Sequence, residues 1–108
     1  MGYKVLGQAD PGAVLTDIYT VPANTQAVSS SVIVCNQETL TAKYRISVAV
    51  GGAADSTEQY LAYDVEIPGN TSVDWTIGMT LDDGDVVRVE TTVNGPVSFN
   101  VFGEEVPA

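Results

Sequence analysis

Alternation of apolar and polar residues with a period of two constrains this chain more than any other feature of its sequence. In the segment 42–50 one set of alternating positions is predicted to point inward: Ala42, Tyr44, Ile46, Val48 and Val50. The positions between them are predicted to face water: Lys43, Arg45, Ser47 and Ala49. Side chains of a β-strand alternate between its two faces, whereas apolar positions of a helix recur every three to four residues. The segment is therefore predicted to be a strand with one buried face.

The same alternation recurs along the chain. In 60–67 the predicted inward residues are Leu61, Tyr63, Val65 and Ile67, and the predicted outward residues are Tyr60, Ala62, Asp64 and Glu66. Further predicted inward sets are Val73, Trp75 and Ile77, then Val87 and Val89, then Val97, Phe99 and Val101. The segment 28–36 is apolar on both sides beyond Ser31, which is typical of a central strand. Shorter strands are predicted near 3–7 and 15–20.

These patterns predict an all-β fold with almost no helix. About eight strands in 108 residues, separated by turn signals, indicate one domain spanning 1–108. The predicted architecture is an antiparallel β-sandwich that is jelly-roll-like. An immunoglobulin-like sandwich is the alternative, although the paired cysteines of antibody domains are missing.

A short sequence occurs twice in similar form, a repeated phrase that reads "VPANTQAV" at 21–28 and "IPGNTSVD" at 67–74. Pro22 and Pro68 fix φ and withhold a backbone donor, which suits the end of a strand. Asn24 and Asn70 tolerate a left-handed backbone. We interpret both copies as corners at which the chain turns from one sheet to the other.

Two dipeptides predict tight turns. Asp83-Gly84 suits a type I′ hairpin, and Asn94-Gly95 between two β-rich runs carries the strongest hairpin signal in the chain. The acidic residues around Gly84 are also weak candidates for a calcium site: Asp82, Asp83 and Asp85. We favour the turn, because a calcium loop usually spreads its ligands over a longer segment.

No catalytic arrangement emerges from the residues. Cys35 is the single cysteine and lies in the apolar run "VIVCNQ", and the chain has no histidine that could activate it. We interpret Cys35 as a small core residue. The absence of histidine also excludes Ser-His-Asp catalysis and most zinc sites. We expect no enzymatic activity and no cofactor.

The net charge of the chain makes some classes of binding partner unfavourable. Fourteen acidic and four basic residues give a net charge of −10, which repels nucleic acid and anionic membranes. No apolar run approaches the length of a membrane helix, and the start lacks the features of a signal peptide. We expect a soluble chain that is made in the cytoplasm.

Three surface features are candidates for binding. Lys43 and Arg45 share one strand face and gather half of the positive charge, so we expect them to contact an acidic neighbouring subunit, with a plain solvated face as the alternative. Tyr60 is predicted to point outward, where an aromatic ring can contact protein or carbohydrate. The loop 51–58 could bind a glycan or be a solvated connection.

Several stretches resemble a family of small tailed-phage virion structural proteins. They are "YKVLGQ", "LTDIYTVPANTQAVSSSVIVCNQ", "YRISVAVGG", "YLAYDVEIPGNTSV", "GMTLDDGDVVRVETT" and "VSFNVFGEE", which together cover almost the whole chain. The resemblance implies a building block of a virion, and it carries over no functional residue.

We therefore expect a capsid decoration or cement protein on the outer surface of a phage head, in contact with the major capsid protein or other virion subunits. A tail, baseplate or fibre component is the alternative, and a carbohydrate-binding module is a third. We also expect a homo-oligomer, with a trimer favoured, because an open sandwich leaves strand edges that need covering.

Overall fold

The computed structural model describes residues 3–93 and 96–108, and within these ranges the chain is almost entirely β-structure. Nine strands are described: β1 Tyr3–Ala9, β2 Thr16–Thr20, β3 Thr25–Asn36, β4 Ala42–Ala49, β5 Tyr60–Ile67, β6 Thr71–Trp75, β7 Met79–Leu81, β8 Val86–Thr91 and β9 Val97–Pro107. The helical content of the described residues is two short 3₁₀ turns, Val50–Gly52 and Thr57–Gln59. The all-β prediction is confirmed.

The strands form two antiparallel sheets that pack as a sandwich. The first sheet has the order β1-β9-β3-β6, with β7 also paired to β3, and the second has the order β2-β8-β4-β5. Because β6 and β7 pair with successive stretches of β3, they act as one interrupted strand. Counted in this way, eight strands pair first with last, second with seventh, third with sixth and fourth with fifth. This is the order of a rolled-up long hairpin, the jelly roll, and not that of the immunoglobulin alternative.

The core lies between the sheets and is built from the alternating residues. The predicted inward residues of β8 and β9 are all fully buried: Val87, Val89, Val97, Phe99 and Val101. Tyr44 is fully buried as predicted, and it makes edge-to-face contacts with Phe99 and Trp75 at centroid distances of 6.1 and 6.5 Å. Trp75 packs against the core from its margin and is half-buried. Aromatic contacts of this kind join the two sheets.

The predicted faces of β5 are wrong over its first half. Tyr44 pairs with Val65 and Ile46 pairs with Ala62, so β5 contains one residue more than β4 between these two pairs. This β-bulge contains Asp64, whose φ is 53°. The extra residue exchanges the two faces at 61–63, so that Ala62 is buried, and a second register shift between Ile46 and Ser47 returns Tyr60 to the outer side. The predicted inward residues Leu61 and Tyr63 are instead exposed.

The predicted faces of β4 also fail at its end. Ser47 and Ala49 are fully buried, whereas Val50 is 75% exposed. The reason is that the outer side of β4 is covered there by the 3₁₀ turn Thr57–Gln59, while Val50 has already left the strand. A residue predicted to face water is thus covered by a connecting segment.

Both copies of the repeated phrase turn corners between the sheets, as predicted. The first joins β2 to β3 and the second joins β5 to β6, and each passes from the second sheet to the first. Asn24 and Asn70 have φ values of 57° and 55°, in the left-handed region. The repetition therefore reflects the same backbone requirement at two places.

The segment 82–85 is a turn, but it is not the predicted hairpin. It joins β7 in the first sheet to β8 in the second sheet. The Asp85 N–H donates to the Asp82 carbonyl at 3.1 Å, and Gly84 has a φ of 79° while Asp83 has no positive φ. A type I′ turn needs positive φ at both central residues. Asn94-Gly95 lies outside the described residues, and the strands it connects, β8 and β9, belong to different sheets.

Replacing Gly84 with valine is expected to lower the free energy of unfolding by about 2 kcal/mol, because a β-branched side chain resists a positive φ. Gly78→Val is the matched control, since no atom lies within 4 Å of the added Cβ and its φ is not in the left-handed region. It should change stability by less than about 0.5 kcal/mol. Urea unfolding of both variants measures the difference, and equal midpoints would contradict the assigned turn.

Candidate interaction surface

The outer face of the second sheet gathers the charged side chains that the sequence singled out. Arg45 of β4 donates through Nε to Asp64 Oδ1 at 2.7 Å and through Nη2 to Asp64 Oδ2 at 3.3 Å. Its Nη1 lies 3.5 Å from Glu90 Oε1 on β8. The bulge in β5 places Asp64 in this position, so the same irregularity that exchanges the faces of β5 also holds the guanidinium.

Two tyrosines of β5 lie beside this ion pair. The Arg45 guanidinium stacks on the Tyr63 ring, with Cζ 4.1 Å from the ring centroid. The Tyr60 and Tyr63 rings meet edge to face, with centroids 5.0 Å apart and planes at 89°. Tyr63 is nevertheless 58% exposed. We refer to Arg45, Tyr60, Tyr63 and Asp64 as the tyrosine–arginine surface.

An open depression of about 510 Å³ lies next to the two tyrosines and is lined by Thr57, Tyr60 and Tyr63. Thr57 belongs to the loop 51–58, and burial together with the Asp55 carboxylate of the same loop raises the pKa of Tyr60. The structure therefore brings Tyr60 and this loop together. Sequence reasoning missed Tyr63, because strict alternation placed it in the core and only the bulge turns it outward.

The cations of this face do not form a free positive patch. Arg45 is paired with Asp64 and Glu90, Arg88 pairs with Asp17 at 2.9 Å, and Lys43 lies opposite Glu66 in the sheet. The hydrogen bond from Arg45 lowers the pKa of the Asp64 carboxyl, so this ion pair persists to a lower pH than an ordinary aspartate would allow. What the surface offers a partner is thus an exposed aromatic ring held by an ion pair.

Raising the pH is expected to weaken the fold around Tyr60. Burial and the hydrogen bond to the Asp55 carboxylate raise the pKa of Tyr60 to about 12 from 10.0. The folded chain therefore holds this proton more tightly than the unfolded chain. The stabilisation is complete below about pH 10 and is lost as the pH rises through about 12.

Thermal midpoints of the native chain and of Tyr60→Phe, compared between about pH 9 and about pH 12, test this expectation. The variant should lose less stability over this interval. Tyr3→Phe, at a residue that is 82% exposed, is the control and should follow the native profile. Parallel profiles for the native chain and Tyr60→Phe would contradict the assigned environment.

The three acidic residues around Gly84 accept hydrogen bonds from backbone N–H groups, Asp83 through Oδ2 from Asn24 N at 3.4 Å. Asp85 is buried, and its two carboxylate oxygens accept from Gly51 N at 2.8 Å and from Asp82 N at 2.9 Å. Asp82 Oδ1 accepts from Asp83 N at 2.9 Å. Within residues 3–93 and 96–108, no group of three or more acidic or cysteine side chains is placed to hold a metal ion. Asp85 instead fastens the turn to the start of the 50–59 loop.

Cys35 does not lie in the core as predicted. It points outward from β3 and is half-buried, whereas its neighbours Val34 and Asn36 are buried. The prediction failed because the run "VIVC" does not alternate between apolar and polar residues, so the sequence does not show which face of β3 Cys35 takes.

Comparison with known proteins identifies no relative. No protein family, curated protein or solved structure matches this chain. Among the described residues there is no helix with the length and apolar character required to cross a membrane.

Proposed function

We propose that this chain is a non-enzymatic structural protein of a tailed-phage virion, which decorates or cements the outer surface of the head. Its partner in this proposal is the major capsid protein or another virion subunit. The tyrosine–arginine surface makes the contact.

The exposed Tyr63 ring is the observation that carries the proposal. A large aromatic side chain at the surface gains more from a protein contact than from water, and aromatic residues are enriched in the centres of interfaces. The ring is stacked on Arg45, which is itself fixed by two hydrogen bonds to Asp64. Because the surface is already ordered, binding loses little side-chain entropy.

Two further observations support the virion role. The resemblance of the segments quoted above to small tailed-phage structural proteins extends over almost the whole chain. The net charge of −10 suits a position on the outside of a shell, away from packaged DNA, whose phosphates it repels. A tail, baseplate or fibre component has the same features and differs in copy number, which is far higher for a head protein.

A carbohydrate-binding module is the second candidate function. The depression lined by Thr57, Tyr60 and Tyr63 favours it, because sugars place their C–H faces on aromatic rings and their hydroxyls on nearby polar groups. Binding of the purified chain to immobilised glycans, lost in Tyr63→Ser, would support this alternative. A chain that binds no glycan would weaken it.

Replacing Tyr63 with serine is expected to reduce the occupancy of the protein on particles while the purified domain stays folded, because the ring is exposed. Leu40→Ser is the control, since Leu40 is 77% exposed and lies outside the tyrosine–arginine surface. Particles assembled with each variant are compared by quantitative mass spectrometry. Full occupancy of Tyr63→Ser would remove the tyrosine–arginine surface from the contact.

A further inference from the structure

The outer face of the first sheet carries few charges, although the chain as a whole is strongly acidic. The chain has fourteen acidic residues. Within the described strands of this sheet, two of them point outward: Asp74, which pairs with Ile33, and Glu104, which pairs with Val28. The outer face of the second sheet instead carries Lys43, Arg45 and Arg88 with their acidic partners. The two faces of the sandwich thus differ in chemistry.

The low-charge face has an apolar centre. Phe102 lies on β9, one of the two central strands, and pairs with Val5 on β1. Val5 and Val28 are 47% and 44% exposed, and Tyr3 at the edge is 82% exposed. The centres of protein interfaces are depleted in charge and enriched in aromatic residues. The low charge of the face and its aromatic residues Tyr3 and Phe102 agree with this description, and the polar neighbours Ser31 and Asn100 are uncharged.

We infer that two copies of this chain pair through the outer faces of their first sheets. Each copy carries a net charge of −10, so two copies repel each other unless they meet through surfaces with few acidic side chains. The low-charge face meets that condition, whereas the outer face of the second sheet carries Asp17, Glu66 and Glu90.

The register of the strands specifies an arrangement in which no acidic side chain meets its own copy. A two-fold axis that runs across the strands at Phe102 exchanges residues equally distant from it along β9. Glu104 of one copy then lies over Asn100 of the other. Val28 pairs with Glu104 and Ile33 pairs with Asn100, so Val28 lies over Ile33 of the second copy. Apolar side chains therefore meet apolar side chains, as a self-complementary contact requires.

The available area suits a reversible pair. The strands of this sheet lie about 4.8 Å apart and contain 7, 11, 12 and, for β6 with β7, 8 residues, each rising about 3.4 Å, which gives a face of roughly 600 Å². Stable interfaces bury about 800 Å² on each partner, and slightly smaller ones are weaker. We expect a dissociation constant on the order of micromolar. The pair uses a sheet face and is distinct from the trimer expected from strand edges, and it does not rest on the virion role.

Sedimentation equilibrium of the purified chain tests the pair, with Val28→Glu as the disrupting variant. The native chain, of 11.3 kDa, should show the mass of two copies, and added salt should strengthen association by screening the like charges. Val28→Glu should raise the dissociation constant by about 30-fold or more, as loss of a central contact does. Val50→Glu makes the same change at an exposed residue elsewhere and should leave association unchanged.

Folding of each variant is checked by its thermal midpoint, and Phe102→Ser provides a second disruption that adds no charge. A native chain that keeps the mass of one copy at about 1 mM, far above the expected range, would overturn the inference. A mass of three copies, or equal weakening by Val28→Glu and Val50→Glu, would also overturn it, since the contact would then not be the face of the first sheet.

Discussion

Asn36→Leu is expected to lower the free energy of unfolding by about 4 kcal/mol. The substitution leaves three polar backbone groups without the hydrogen bonds that the Asn36 side chain makes to them. Asn36 is fully buried at the end of β3. Its amide nitrogen donates to the carbonyls of Leu40 at 2.9 Å and Ile67 at 3.0 Å, and its oxygen accepts from the Glu38 N–H at 2.9 Å. The side chain therefore ties the 37–41 connection to the corner that ends β5.

Gln37→Leu is the matched control for this substitution. Gln37 is exposed and its side chain makes one hydrogen bond, to Ser98 Oγ at 3.3 Å. The same amide-to-leucine change should there alter stability by less than about 0.5 kcal/mol. Urea unfolding of the two variants gives the comparison. If Asn36→Leu unfolds at the native midpoint, the network around Asn36 is not formed in solution.

Trp75→Ala is expected to lower the free energy of unfolding by about 3 kcal/mol, at the low end for a large aromatic residue because the ring is half-buried. The substitution removes the edge-to-face contact with Tyr44 at 6.5 Å. It also removes the donor of the hydrogen bond from Trp75 Nε1 to the Tyr44 hydroxyl, at 2.6 Å.

Trp75→Phe separates these two contributions. It keeps an aromatic ring but has no N–H, so it should cost about 1 kcal/mol, the contribution of one hydrogen bond. Thermal or urea unfolding of both variants measures the two steps. A native midpoint for Trp75→Ala would show that the ring does not pack against the core.

The strands and their inward residues could be predicted because burial of one face imposes alternation on the sequence. Val97, Phe99 and Val101 are fully buried as predicted. The two corners with Asn24 and Asn70 were also predictable, because few residue types tolerate a positive φ there. The jelly-roll order itself follows from which strands pair, and alternation carries no information on pairing.

The predictions from sequence fail where the strand contains an inserted residue or where segments distant in the chain meet. The bulge at Asp64 inserts one residue without breaking the apolar and polar alternation, so nothing in the sequence marks the exchange of faces. Asp83-Gly84 has the composition of a hairpin turn, but its flanking strands belong to different sheets.

Only some residues of the tyrosine–arginine surface could therefore be predicted from the sequence. Arg45 and Tyr60 were identified from their predicted outward positions. Tyr63, the residue on which the proposed contact depends most, was assigned to the core. The pairing of Arg45 with Asp64 depends on the same bulge, so the sequence indicated a free positive charge where the structure has a closed ion pair.

A virion map tests the central claim most directly. Particles of the tailed phage that, in this proposal, encodes the chain are purified and imaged by electron cryomicroscopy, and copies of the chain are counted by quantitative mass spectrometry of the same preparation. We predict a jelly-roll density on the outer surface of the head, in a copy number comparable to that of the shell subunits, with Tyr63 facing the neighbouring subunit. Absence of the chain from the particles would contradict the virion role, and a few copies confined to the tail would contradict the head position.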